Sequence, residues 1–222
     1  MVLCLEHYQP WRKGEAKAAE TEKQFEGFEG FMATRFPQAH VVRNSARLGC
    51  LRNTRRAMQY ALGQSEFGVL AEEDIEVSDD VLEYFTWASE HYRSDPSVLA
   101  VCAHSLSSAG SAGDVARAPW FTPLVWGTWR DRWNLMLAHW EPRQGYPEGW
   151  DYNIRMITGR MVQCVYPALS RAQHFGAQST MTWASPVTGS NYFHDRSQSK
   201  TFQPHYEPQE FREATDLEVT YY

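Results

Sequence analysis

The segment Phe67-Gly68-Val69-Leu70-Ala71-Glu72-Glu73-Asp74-Ile75-Glu76-Val77 constrains this chain more than any other. An apolar run that reads as a buried strand ends directly in three carboxylates. Acids at the end of a buried strand lose hydration unless they meet water, a cation or hydrogen-bond donors. Hard divalent cations are held by carboxylate oxygens, and substrate phosphates commonly complete their shell. Side chains alternate along a strand, so Glu72 and Asp74 share one face and Glu73 faces the other. One or two of these acids can reach a common ligand, not all three. The competing reading is a solvated acidic turn leading into a helix, where acids also suit the dipole.

Around this segment the pattern alternates. Residues 2–8, 40–43, 67–71, 97–102 and 161–165 read as strands, and 120–126 is strand-like. Helical spacing marks residues 14–35, the stretch before Gly63, 80–92, 130–139 and 150–158. Gly63 fits a helix stop. Asp80-Val81-Leu82-Glu83 has capping-box character, which gives Asp79 and Asp80 the role of caps. Residues 105–118 are rich in Ser, Gly and Ala and read as a mobile loop, 141–149 as a Pro/Gly loop, and the chain is polar and loop-rich from about Ser170. The alternation predicts an α/β fold with a mixed, mostly parallel sheet flanked by helices. With 222 residues, one domain over 1–222 is expected.

Composition removes several function classes. A net charge of −6 without a basic block argues against nucleic-acid binding. No run of ~18 apolar residues is present to span a membrane. The first residues are too short an apolar run, and lack the basic flank, for a signal peptide. A cytoplasmic location is the expectation. Cys4, Cys50, Cys102 and Cys164 lie far apart without a CxxC pair, which argues against tetrahedral zinc. Cys4, Cys102 and Cys164 are expected as reduced core thiols. Six of the nine Trp fall between Trp120 and Trp150, which reads as an aromatic core with one or two rings left to stack on a sugar.

Further candidates lie along the chain. Asp151 follows Trp150 at a helix start, where it is either an N-terminal cap or a carboxylate beside an indole, suited to general-base work. Ser170-Arg171-Ala172-Gln173-His174-Phe175-Gly176 is a polar stretch that could close over a diphosphate or merely connect elements. Arg52, Arg55 and Arg56 are a solvated helix face or phosphate contacts. His194 and His205 are surface histidines or late metal ligands.

Taken in order, several segments resemble N-acetylglucosaminyltransferase I and the related protein O-mannose N-acetylglucosaminyltransferase. They are Ala61-Leu62-Gly63-Gln64, the acid segment from Leu70 to Val77, Glu83-Tyr84-Phe85 and Asp95-Pro96-Ser97. Trp140-Glu141-Pro142, Trp150-Asp151 with Arg155-Met156, and Tyr166-Pro167-Ala168-Leu169-Ser170-Arg171 through Phe175-Gly176 continue the series. The resemblance implies a GT-A-like, Rossmann-like fold and an inverting transfer of N-acetylglucosamine or another hexose. The donor would be a UDP-sugar, the cofactor Mn2+ (or Mg2+), and the acceptor a hydroxyl of a glycan or other molecule. By position, Asp74 matches the metal ligand, Glu72 the acid near the donor sugar and Glu73 the acid near the ribose. Asp151 matches the base that deprotonates the acceptor, Trp150 its neighbour, and Ser170 and Arg171 the start of the loop that orders over the donor. The family's first strand has no counterpart; residues 2–8 match its second, with Glu6 and His7 near the nucleotide. The alternatives are a transferase-derived domain that binds glycan or protein without catalysis, and a metal-dependent phosphohydrolase built on the acid triplet.

Overall fold

The computed structural model describes residues 2–5, 15–46, 48–72, 75–105, 107, 110–140, 150–158, 162–174 and 201–215. They belong to two compact units, Met1–Glu66 and Phe67–Tyr222.

In the first unit, β1 (Val2–Leu5) and β2 (His40–Arg43) pair in parallel, Val2 opposite His40 and Leu5 opposite Arg43. Parallel neighbours need a crossover, and α1 (Glu15–Arg35) lies between them in the chain. Helix α2 (Gly49–Gln64) packs on β1. Its buried stripe, Leu51, Thr54, Met58 and Leu62, follows helical spacing. Gly49, at φ 75°, starts this helix in the left-handed region that glycine tolerates. The expected stop at Gly63 falls one residue early: α2 runs to Gln64, and Ser65 closes it by donating both its N–H and its hydroxyl to the Ala61 carbonyl. Arg52 and Arg56 are exposed.

The second unit is built on a six-stranded sheet. Its elements in chain order are β3 (Phe67–Ala71), β4 (Ile75–Val77), α3 (Val81–His91), β5 (Val98–Cys102), β6 (Asp114–Ala118) and β7 (Val125–Trp129), then α4 (Arg130–Leu137), α5 (Trp150–Thr158), β8 (Gln163–Pro167), β9 (Ala172–His174) and β10 (Arg212–Glu213). The sheet order is β10-β6-β8-β5-β7-β3, and β4 pairs with β9 in a separate two-stranded ladder. The α/β class is as expected, but the sheet is not mostly parallel. Pairs β5–β8 and β10–β6 are parallel, whereas β3–β7, β5–β7 and β6–β8 are antiparallel. Strand β6 lies in the stretch read as a mobile loop, and β7 starts later than the strand-like 120–126. Among the described residues no helix separates β5 from β6 or β6 from β7, so none of them imposes the parallel crossover that the alternation had suggested.

Helix α3 packs on β5 and β7. Val81, Tyr84, Phe85, Ala88 and Tyr92 meet Val101, Val125 and Trp129 there. The Tyr84 hydroxyl donates to the Cys102 carbonyl and the Trp129 indole to the Ser89 carbonyl, so the polar atoms of these two rings are paired. Arg132 stacks on Trp129 at 3.7 Å and donates to the carbonyls of Tyr92, Arg93 and Asp95, beyond the last turn of α3. Trp126, Phe121, Trp133 and Trp140 form a second aromatic group. Four of the six clustered tryptophans, Trp126, Trp129, Trp133 and Trp140, are therefore core residues. Cys102 and Cys164 are buried free thiols; the Cys4 side chain lies outside the description. No helix among the described residues is long and apolar enough to cross a membrane.

The middle of β7 leaves no room for a side chain. A Cβ at Gly127 would meet the Phe67 ring at 2.6 Å and the Gly68 carbonyl at 3.1 Å. The Phe67 ring has little room to swing aside, being packed edge-on to Trp129 at 5.0 Å and against Phe85. Gly127→Ala is expected to cost about 1–3 kcal/mol, the range for overpacking a closed core. A lowered urea midpoint with unchanged slope is the expected reading; an unchanged midpoint means that β3 and β7 separate freely.

Candidate functional site

Strands β3 and β5 each run antiparallel to β7, and β5 runs parallel to β8, so β3, β5 and β8 point the same way. Their carboxyl ends share one edge of the sheet, the edge where open α/β sheets bind ligands. From β3 emerges Glu72, half-buried, followed by Glu73 and Asp74, which lie outside the described residues. From β5 emerge Ala103, His104 and Ser105. From β8 emerge Ala168, Leu169, Ser170 and Arg171.

Hydrogen bonds lace the last two exits together. Arg171 N–H donates to the Ala103 carbonyl at 2.8 Å, Ser105 N–H to Ser170 Oγ at 2.9 Å, and Ser105 Oγ to the Ala168 carbonyl at 2.9 Å. His104 Nδ1 is 3.1 Å from the Ala172 carbonyl. A carbonyl can only accept, so this contact requires the proton on Nδ1. The β4–β9 ladder brings the acid segment to the same place: Ile75, the residue after Asp74, faces His174, and Gln173 donates to Glu76 at 3.0 Å. Stretches about a hundred residues apart in the chain thus run side by side.

Arg171 and Ser170 have duties other than the one their loop position suggested. Both are fully buried. The Arg171 guanidinium grips Asp80, with Nη2 2.9 Å from Oδ2 and Nε 3.2 Å from the same oxygen, and also donates to the carbonyls of Leu169 and Ala112. Ser170 Oγ donates to Ala172 while accepting from Ser105. A guanidinium this deep requires a counter-charge, and Asp80 supplies it instead of a diphosphate. Asp80 is accordingly no side-chain cap of α3; its Oδ1 accepts from Ser78 at 2.7 Å.

Asp79 is likewise turned away from capping. Its carboxylate accepts from Tyr206 N–H at 3.1 Å and bonds His205 Nδ1. It therefore ties residues 201–215 to the start of α3. The Tyr206 ring covers the Arg171 guanidinium at 4.3 Å, and its hydroxyl donates to the Ser170 carbonyl. His205 is bound up in this tie.

Asp151 sits in the first turn of α5, about one-fifth exposed, 3.1 Å from Arg155. Arg155 donates through Nε to the Phe121 carbonyl at 3.0 Å, in the segment that leads into β7. Ile154, fully buried, seats the helix. The Trp150 side chain, Glu6, His7, His194, Phe175 and Gly176 lie outside the described residues. Among the described residues, no group of three or more His, Cys, Asp or Glu side chains is arranged to hold a metal, and Asp74 is not among them. His104, Ser105 and Asp80 had carried no signal as site-building residues in the sequence, because the partners that join them to the exit of β8 lie 63 to 91 positions away.

No protein-family model matches this chain, and no curated protein matches it.

The Asp79–His205 contact has a pH signature. Asp79 is held below the usual carboxylate range, first by the Tyr206 N–H and then by His205, and His205 is raised above 6.5 by Asp79. A raised histidine stabilises the fold fully below about pH 6.5, and this contribution fades as pH rises through the folded-state value. NMR titration is expected to place His205 above 6.5, and Asp79→Asn to move it down. An unmoved value in Asp79→Asn means that the contact does not form in solution.

Proposed function

We propose that this chain is an inverting, metal-dependent glycosyltransferase that moves a hexose, N-acetylglucosamine or a relative, from a UDP-sugar to an acceptor hydroxyl. One observation carries the reading. The segment after β3, which bears the three acids, and the segment after β8, which the resemblance assigns to closure over the donor, are zipped together by the β4–β9 ladder. They meet at the carboxyl edge of three like-directed strands. Nothing in the chain's local pattern requires those two stretches to meet, and a donor site built from both does.

In this reading Asp74 would hold Mn2+ (or Mg2+), which when bound would supply positive charge to offset that of the diphosphate. Glu72 faces the donor sugar and Glu73 the ribose. Asp151 takes the proton from the acceptor hydroxyl as that oxygen attacks the anomeric carbon opposite the leaving UDP. Its tie to Arg155, itself anchored on Phe121, holds the carboxylate in one orientation. The GT-A-like arrangement belongs to the same proposal.

Thermal unfolding with a panel of nucleotide sugars, with and without Mn2+, tests the donor assignment. A ligand at ~100 times its Kd adds about 2.7 kcal/mol to the folded state. A Mn2+-dependent shift with a UDP-sugar, absent in Asp74→Ala, is the expected result. No shift with any donor overturns the transferase reading in favour of a domain that binds without catalysis. Asp151→Asn is expected to keep the shift while transfer falls by about 10²–10⁴-fold, the range for losing a general base; an unchanged rate removes Asp151 from that role.

A further inference from the structure

Trp120 is the exception among the clustered tryptophans whose side chains are described. Trp126, Trp129, Trp133 and Trp140 are buried, and Trp120 is half-buried. Its backbone is nonetheless held tightly. Pro119 and Pro123 bracket the segment and fix two of its torsions. The Trp120 carbonyl accepts from the buried Tyr166 hydroxyl at 2.7 Å, and the Phe121 carbonyl accepts from Arg155 Nε at 3.0 Å. Phe121 and Thr122 are buried, so of these three neighbours the indole alone is left within reach of water.

Two charged groups stand beside it. The Arg155 guanidinium lies over the Trp120 ring, 5.1 Å from its centroid, and Arg155 Nη2 is 3.1 Å from Asp151 Oδ2. Both charged side chains are partly exposed. An indole, a guanidinium and a carboxylate thus form one row on a stiff backbone. We propose that this row is a saccharide seat: the less polar face of a pyranoside packs on the Trp120 indole, and its hydroxyl rim meets Arg155 and Asp151.

The chemistry of the row selects that ligand class. A pyranose ring turns a set of C–H groups to one side, and these pack on an aromatic face. Its neighbouring hydroxyls come in pairs, which the planar, two-pronged ends of arginine and aspartate engage with two bonds at once. A wholly apolar ligand would strip water from both charges and return no hydrogen bonds. An anionic ligand would face the Asp151 carboxylate. Arg155 takes one face of the indole, so the sugar takes the other. That Asp151 draws a proton from one of the bound hydroxyls rests on the transferase reading; recognition of the ring does not.

The probes are methyl β-D-glucopyranoside, methyl β-D-galactopyranoside and methyl α-D-mannopyranoside, titrated into the isotope-labelled full chain without nucleotide or added metal. The Trp120 indole N–H resonance is identified by its loss in Trp120→Phe. It is expected to shift saturably with at least one pyranoside, at about millimolar Kd, while the resonances of the buried tryptophans stay in place. Trp120→Leu is expected to weaken that pyranoside about tenfold, the scale of losing one stacked ring. Where Trp120→Leu does not fold, the wild-type titration decides alone. A Trp120 resonance that none of the three sugars moves overturns the proposal, as does wild-type affinity in Trp120→Leu. Pyranoside binding by a chain that binds no nucleotide sugar supports the seat and removes the transferase reading. Nucleotide-sugar binding without pyranoside binding overturns the seat and leaves that reading in place.

Discussion

A guanidinium removed from water must find a counter-charge and acceptors for its N–H groups, and Arg171 finds them in Asp80 and in carbonyls from two other parts of the chain. The second unit is arranged around that demand. Asp80 fixes where α3 begins, Leu169 and Ala112 fix the turns around β8 and β6, and the Tyr206 ring closes the remaining face. An unpaired charge at this depth would cost several kcal/mol, so the pairing of Arg171 with Asp80 favours these segments coming together. The carboxyl edge, with Glu72, His104 and Ser170 emerging from three adjacent or near-adjacent strands, follows from that assembly.

Elements with a strong period were legible in the sequence. Strands at His40–Arg43 and Phe67–Ala71 and the helix Trp150–Thr158 lie where the pattern placed them. Strand β6 was hidden because Asp114–Ala118 follows a Ser/Gly-rich stretch and mixes Asp and Arg with small residues. Strands β9 and β10 are three and two residues long, too short to show a period. Strand direction was not legible either, since it depends on what lies between strands. At the site, the acid triplet could be read because its residues are contiguous. The Asp80–Arg171 pair could not, because an ion pair spanning 91 positions leaves no local trace. Arg171 looked like a loop arginine because its neighbours are polar; only the packing of Tyr206 and Phe211 around it makes it interior.

The aromatic cluster connects core packing to chemistry. Phe121 packs edge-on to Trp126 at 5.2 Å, and Trp133 tilts against Trp126 and meets Trp140 edge-on. Such contacts make the segment before β7 stiff. The Phe121 carbonyl in that segment receives Arg155, which in turn holds Asp151. These tryptophans, core residues as the sequence suggested for most of them, thus serve a candidate base indirectly, as the wall on which its supporting arginine is mounted.

Residues 201–215 supply the strand β10, which covers the edge of β6, and the Tyr206 ring, which covers Arg171. During synthesis the chain emerges in order, and both are made after every other strand of the sheet. Until they emerge, β6 presents open backbone donors and acceptors, the kind of edge that pairs with other chains, and a charged group waits half-dressed at the centre of the fold. The last strap is therefore the step that ends the nascent chain's exposure to aggregation, and shortening it would lengthen that exposure even where the finished site is untouched.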